Sequence, residues 1–133
     1  MIVPLTGSKG KREQAVRLVR TALGAGAHTL VMMVGLPQAG KTTAAEAMDA
    51  PGLVILDGCN LTQETRQELI DDILPPRVVM VYVETAPDVC RARLEALPEA
   101  EQIHPWRFGW MVDSLTAPKA GEADKVIRLS GAG

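Results

Sequence analysis

The residues best suited to chemistry form one run, Gly35-Leu36-Pro37-Gln38-Ala39-Gly40-Lys41-Thr42-Thr43. A glycine at each end of a short loop lets the backbone turn tightly, so that successive N–H groups converge on one anion. A helix that starts at the second glycine adds unpaired N–H groups and the positive end of its dipole. Lysine then reaches the outer phosphates of a nucleotide, and the next hydroxyl ligates Mg²⁺. The pattern therefore predicts ATP and Mg²⁺ as cofactors. Gly35, Pro37, Gln38, Ala39, Gly40, Lys41, Thr42 and Thr43 are the residues that cradle the phosphates. A glycine-rich turn with a chance lysine is the plain alternative. The apolar strand Thr29–Val34 before the loop and the helical pattern after it argue for the phosphate reading.

Leu53-Val54-Ile55-Leu56-Asp57 is the next apolar run, and it ends in an acid. Such an aspartate can hold Mg²⁺ through water or accept a proton from an attacking hydroxyl. It can also merely start a turn. Asn60 suits a helix N-cap, with Gln63 at the capping-box offset, and Thr62 can cap instead. Arg66 lies in the first turn of the helix that follows, against the dipole. That placement predicts an anionic partner, either a phosphate or a nearby carboxylate.

Arg91 and Arg93 sit on a helix whose apolar stripe is Cys90, Leu94 and Leu97. Arg93 lies nearer that stripe, which makes it the better candidate to steady a moving phosphoryl group. Its plain alternative is a surface pair with Asp88, Glu84 or Glu95. Further on, Phe108, Met111, Val112 and Leu115 form a helix core face, which throws Trp106 and Trp110 to the opposite side. Exposed tryptophans mark a partner: a stacked base, a homodimer interface, or a slot in the fold. His28 and His104 have no partner at metal-binding spacing.

These residues need elements to position them. Helices are predicted over 9–24, from Lys41, and over 63–74, 86–97 and 105–116. Strands are predicted at 29–34, 53–56, 77–83 and 125–129. Strands alternating with helices imply an α/β fold: a three-layer sandwich with a small, mostly parallel sheet of about four strands and helices on both faces. Ligands of such sheets bind at the carboxyl ends of the strands, where the motifs fall.

The 133 residues fit a single domain, 47% hydrophobic and 23% charged. Net charge is −2. Residues 1–28 carry Lys9, Lys11, Arg12, Arg17 and Arg20 against Glu13 alone, and read as a basic N-terminal helical extension. Cys59 and Cys90 have neither disulfide nor metal spacing, so a reduced, cytoplasmic setting is expected. No apolar stretch approaches the roughly 20 residues of a membrane span.

Gly-Leu-Pro-x-x-Gly-Lys-Thr-Thr, followed by Leu-Asp-Gly-Cys-Asn-Leu-Thr and Arg66, resembles the polynucleotide-kinase branch of P-loop kinases. That branch includes zeta-toxin-like proteins and phage DNA-modifying kinases. Val83-Glu84-Thr85-Ala86-Pro87-Asp88-Val89-Cys90-Arg91-Ala92-Arg93 is similar to the family's lid approach. Ala117-Pro118 and Glu122-Ala123-Asp124-Lys125-Val126-Ile127 are similar to its closing strand. The resemblance implies a P-loop kinase that passes the γ-phosphate of ATP to a hydroxyl. The leading acceptor is nucleic acid, either a polynucleotide end or a hydroxymethyl-pyrimidine base in DNA. A nucleoside, a sugar nucleotide and a non-catalytic nucleotide-binding module are the alternatives. Lys41, Asp57 and Arg93 are the expected catalytic residues, Thr42 and Asp57 the metal residues. Asn60, Arg66, Arg91, Trp106 and Trp110 are the expected acceptor contacts. The family carries a further strand, ending in its general base, between the P-loop helix and the aspartate strand. Only about ten residues, Glu46 to Ile55, separate those elements here, and Cys59 replaces the family's usual threonine. Asp57 is the candidate base; the alternatives are a base from elsewhere in the chain and impaired catalysis.

Overall fold

The computed structural model describes residues 1–5 and 9–131, apart from the side chain of Lys9. Five strands alternate with five helices: β1 (Ile2–Pro4), α1 (Lys9–Gly24), β2 (Thr29–Val34), α2 (Lys41–Met48), β3 (Leu53–Asp57), α3 (Gln63–Ile73), β4 (Val78–Glu84), α4 (Pro87–Glu95), α5 (Pro105–Ser114) and β5 (Lys125–Ser130). The strands make one sheet in the order β1-β3-β2-β4-β5, and every pairing is parallel.

β2 lies at the centre, and all six of its residues are buried. That is why it reads as an unbroken apolar run rather than an alternating one. Successive side chains point to opposite faces. Val31 and Met33 join Ile55, Val79 and Val81 in a core closed by Ala45 of α2, Cys90 and Leu94 of α4, and Phe108 and Met111 of α5. Leu30 and Met32 join Val54, Leu56 and Met80 in the other core, closed by Ala15 and Val19 of α1 and by Leu69 and Ile73 of α3. The result is three layers, with two helices on one face of the sheet and three on the other.

The expected small parallel sheet is present, with five strands where about four were expected. Residues 1–28 are no appended extension, because Ile2, Val3 and Pro4 pair in register with Ile55, Leu56 and Asp57 and Val19 is fully buried. β1 eluded the sequence reading because it is three residues long and ends in proline, a residue otherwise read as a breaker. It occupies the sheet position beside the aspartate strand.

Candidate functional site

The carboxyl ends of β2, β3 and β4 converge on the glycine loop. Gly40 adopts φ 102° and serves as N-cap of α2, a left-handed conformation that glycine alone takes without strain. At Gly35 a side chain would meet the Val83 carbonyl at 3.0 Å. Gln38 holds φ 66° between them, the kind of strained backbone that persists only where surroundings enforce it.

Those surroundings are identifiable. Gly35 N–H donates to the Cys59 carbonyl (3.0 Å), tying the loop's entrance to β3. Thr85, just after β4, donates its hydroxyl to the Ala39 carbonyl (2.6 Å). Arg93 of α4 donates to the Gln38 carbonyl (2.9 Å). Lys41 is buried, and its Nζ donates to the carbonyls of Gly35 (3.0 Å) and Leu36 (2.6 Å). The lysine thus closes the loop that precedes it.

Gln38, Gly40, Lys41, Thr42, Thr43 and Arg93 line a cavity of about 300 Å³ at this loop. Two cations therefore face it, together with backbone N–H groups at the start of α2. At its edge the Thr42 hydroxyl donates to Asp57 Oδ2 at 2.7 Å. Two hard oxygen donors held together beside a phosphate-sized cradle are what Mg²⁺ takes when it keeps most of its waters. The residues fit that ion. Among the described residues no cluster of three or more His, Cys, Asp or Glu is arranged to hold a metal ion.

Burial pushes the Cys90 thiol up, outweighing the opposite pull of the Lys41 and Arg93 charges. It stays neutral, and its Sγ lies 3.9 Å from the Thr85 carbonyl.

The structure thus gathers Lys41, Thr42, Thr43, Gln38, Asp57 and Arg93, and it separates Arg93 from Arg91. Arg91 points the other way, its guanidinium 5.5 Å from the Phe108 ring centre. Arg66 as an acceptor contact is corrected. Its side chain is fully buried and grips Glu122 with two hydrogen bonds, Nε to Oε1 at 2.8 Å and Nη2 to Oε2 at 3.1 Å. Of the two anionic partners open to it, it has the carboxylate. Glu122 also accepts from the Lys119 backbone N–H (2.7 Å). Burial alone would raise the Glu122 pKa; the Arg66 and Lys119 hydrogen bonds and charges outweigh it and hold the pKa below the ordinary carboxylate value.

Asn60 is corrected too. Thr62 caps α3, accepting from Thr65 N–H at 3.1 Å. Asn60 is buried with φ 47° and donates Nδ2 to the Met33 carbonyl (2.7 Å). Its Oδ1 is buried without a partner. His28 bonds Thr29 (2.7 Å), and His104 accepts from Trp106 N–H (3.3 Å). Trp106 and Trp110 are 69% and 58% exposed.

The sequence reading missed two residues, Thr85 and Glu122. Thr85 carried a faint signal, a polar residue directly after a buried strand facing the loop. Glu122 carried none, since its partner lies 56 residues away.

Sheet, loop and aspartate strand together define the P-loop NTPase type of α/β fold. Among solved structures the chain is similar to Kti12 of Chaetomium thermophilum, determined in complex with ADP-AlF3. The TM-score is 0.50 and the identity 16%, covering 97% of this chain and 87% of that one. No protein-family model and no curated protein matches the chain. No helix among the described residues is long and apolar enough to cross a membrane.

Proposed function

We propose that this chain is a cytoplasmic, single-domain ATP-dependent phosphotransferase that passes the γ-phosphoryl group to a hydroxyl on nucleic acid. One observation carries the reading: the 2.7 Å contact of Thr42 with Asp57, beside a cavity faced by Lys41 and Arg93. The loop N–H groups and Lys41 hold the β- and γ-phosphates. Mg²⁺ on Thr42 and Asp57 would neutralise phosphate charge. The acceptor oxygen attacks phosphorus, the bond from phosphorus to the ADP oxygen breaks, and Asp57 takes the acceptor's proton. Arg93 faces the charge that spreads over the transferring oxygens.

Nucleic acid is favoured over a nucleoside or sugar nucleotide by α5. Its two exposed tryptophans offer stacking faces, worth about 1–3 kcal/mol per base. The segment after α5 is tied to the loop that follows Asp57, through Thr116 N–H to the Leu61 carbonyl (2.9 Å). The acceptor is either a 5′-end or a flipped hydroxymethyl-pyrimidine base. Self-association through the same face is the competing use of the tryptophans.

A second reading also has a specific observation behind it. None of the six residues lining the cavity is a carboxylate, and Asp57 is engaged by Thr42. A nucleotide-responsive module without turnover has this composition. Incubation with γ-labelled ATP, Mg²⁺ and a panel of 5′-hydroxyl oligonucleotides, hydroxymethylated DNA and nucleosides separates the readings. Label on a nucleic acid is expected. Nucleotide binding with label on no acceptor overturns the enzyme in favour of the module.

A further inference from the structure

The loop of residues 58–62 between β3 and α3 is held from several sides. Its Cys59 carbonyl accepts the Gly35 N–H, and the Asn60 side chain grips the Met33 carbonyl at the end of β2. The same loop therefore fixes both the last turn of the central strand and the first residue of the phosphate loop. Asn60 achieves this in a left-handed conformation with one buried oxygen unpaired. Both features cost free energy, so some other contact must enforce them.

Arg66 supplies that contact. Its Nη1 donates to the Asn60 carbonyl at 2.9 Å, while Nε and Nη2 lock on to Glu122. A guanidinium presents its donors in one rigid plane. With two of them fixed by a bidentate carboxylate, the third has little freedom in direction. We infer that Arg66, oriented by Glu122, is a positioning residue for the nucleotide site: it fixes the Asn60 peptide and, through it, the entrance of the phosphate loop. The chain of contacts runs from the turn at Ala120–Glu122 through Glu122, Arg66, Asn60 and Cys59 to Gly35. The inference rests on the nucleotide-binding part of the proposed function and adds a role for residues outside the cavity.

A purely structural ion pair makes a different forecast from a positioning one. Replacing a buried pair by apolar residues of similar volume is often neutral for stability. The double substitution Arg66→Met with Glu122→Leu therefore keeps the apolar packing and deletes the hold on Asn60, together with the Lys119 N–H bond to Glu122 in the distant turn. Two quantities are read in it: the affinity for Mg-ATP by calorimetry, and exchange of the Gly35 amide relative to the Met32 amide by NMR. Affinity about tenfold weaker and Gly35 exchange at least tenfold faster, with Met32 unchanged, are expected. A folded double variant with parental affinity and parental Gly35 exchange overturns the positioning role.

Should the double variant fail to fold, Arg66→Lys provides the second arm. It keeps the positive charge on Glu122 but has no planar fork to reach the Asn60 carbonyl. The same weakening and the same selective Gly35 exchange are expected, and their absence overturns the proposal. A parent protein that binds no Mg-ATP overturns the nucleotide reading itself, an outcome distinct from both.

Discussion

Gly131→Ala is expected to loosen the phosphate loop from a distance. Gly131 follows β5, and its N–H donates to the Glu84 carbonyl (3.1 Å). A β-carbon there would lie 1.5 Å from Thr85 Oγ1 and 2.7 Å from Thr85 Cβ. Both distances are far inside van der Waals contact, and the obstacle is a stiff β-branched side chain. Thr85 must rotate, and its hydroxyl leaves the Ala39 carbonyl, now 2.6 Å away. Thr85 and Ala39 are 7% and 2% exposed, so water cannot easily replace the lost bond. A buried polar group left unpaired costs about 1–3 kcal/mol. For a domain of this size that lowers Tm by roughly 4–12 °C. The assay is thermal unfolding of a double-mutant cycle with Thr85→Gly. That background removes both Oγ1 and Cβ and leaves Thr85 Cα, 3.0 Å from the added atom, as the nearest obstacle. Gly131→Ala should then cost little more, giving a coupling of about 1–3 kcal/mol. A Gly131→Ala protein with unchanged Tm, or a cycle that is simply additive, refutes the steric reasoning.

Other outcomes follow from the same geometry. Lys41→Ala should abolish phosphoryl transfer and leave far-ultraviolet circular dichroism unchanged; undiminished turnover contradicts the assignment. Asp57→Asn, which keeps a partner for Thr42 and loses the charge, should raise the Mg²⁺ concentration needed for half-maximal nucleotide binding by about tenfold or more; an unchanged Mg²⁺ titration removes Asp57 from the metal site. The Glu122 carboxyl has a folded pKa below its ordinary 4.5. It therefore contributes stability that is fully present above 4.5 and is lost as pH falls through the lower folded value. Glu122→Gln should flatten the acid limb of stability against pH, as read from urea midpoints, and an identical limb in both proteins would falsify this. Trp106→Ala with Trp110→Ala should weaken binding of single-stranded DNA while leaving ATP affinity intact; equal loss of both means the pair supports the fold.

Legibility from sequence followed the range of the physics. The phosphate loop was readable because its glycines, lysine and threonine act within a short stretch of chain, and β2 announced itself by the consecutive apolar residues Leu30–Val34. Asp57 was readable as the end of the next apolar run. What sequence could not supply was pairing across distance. Arg66 was recognised as a cation against its helix dipole, yet nothing local could choose Glu122 over a phosphate. Asn60 and Thr62 both have cap chemistry, and only the backbone angles assigned the cap to Thr62. Trp106 and Trp110 followed from helical periodicity and are exposed as that periodicity requires. β1 was lost because three residues ending in proline carry too little pattern. Its discovery changes the meaning of the short connection from α2 to β3: the sheet position beside β3 is filled from the N-terminal side.

That placement of β1 has a consequence for how the chain is born. Ile2 pairs with Ile55, so β1 leaves the ribosome about fifty residues ahead of its partner. At ordinary elongation rates of about 5–20 residues per second, the wait is roughly 3–10 seconds. During it the apolar stripe of α1 and the largely apolar β2 have no complete sheet to cover them. The same crossover that completes the edge of the finished sheet leaves the nascent chain with a window in which holdase chaperones, or another copy emerging nearby, compete for its most adhesive segments.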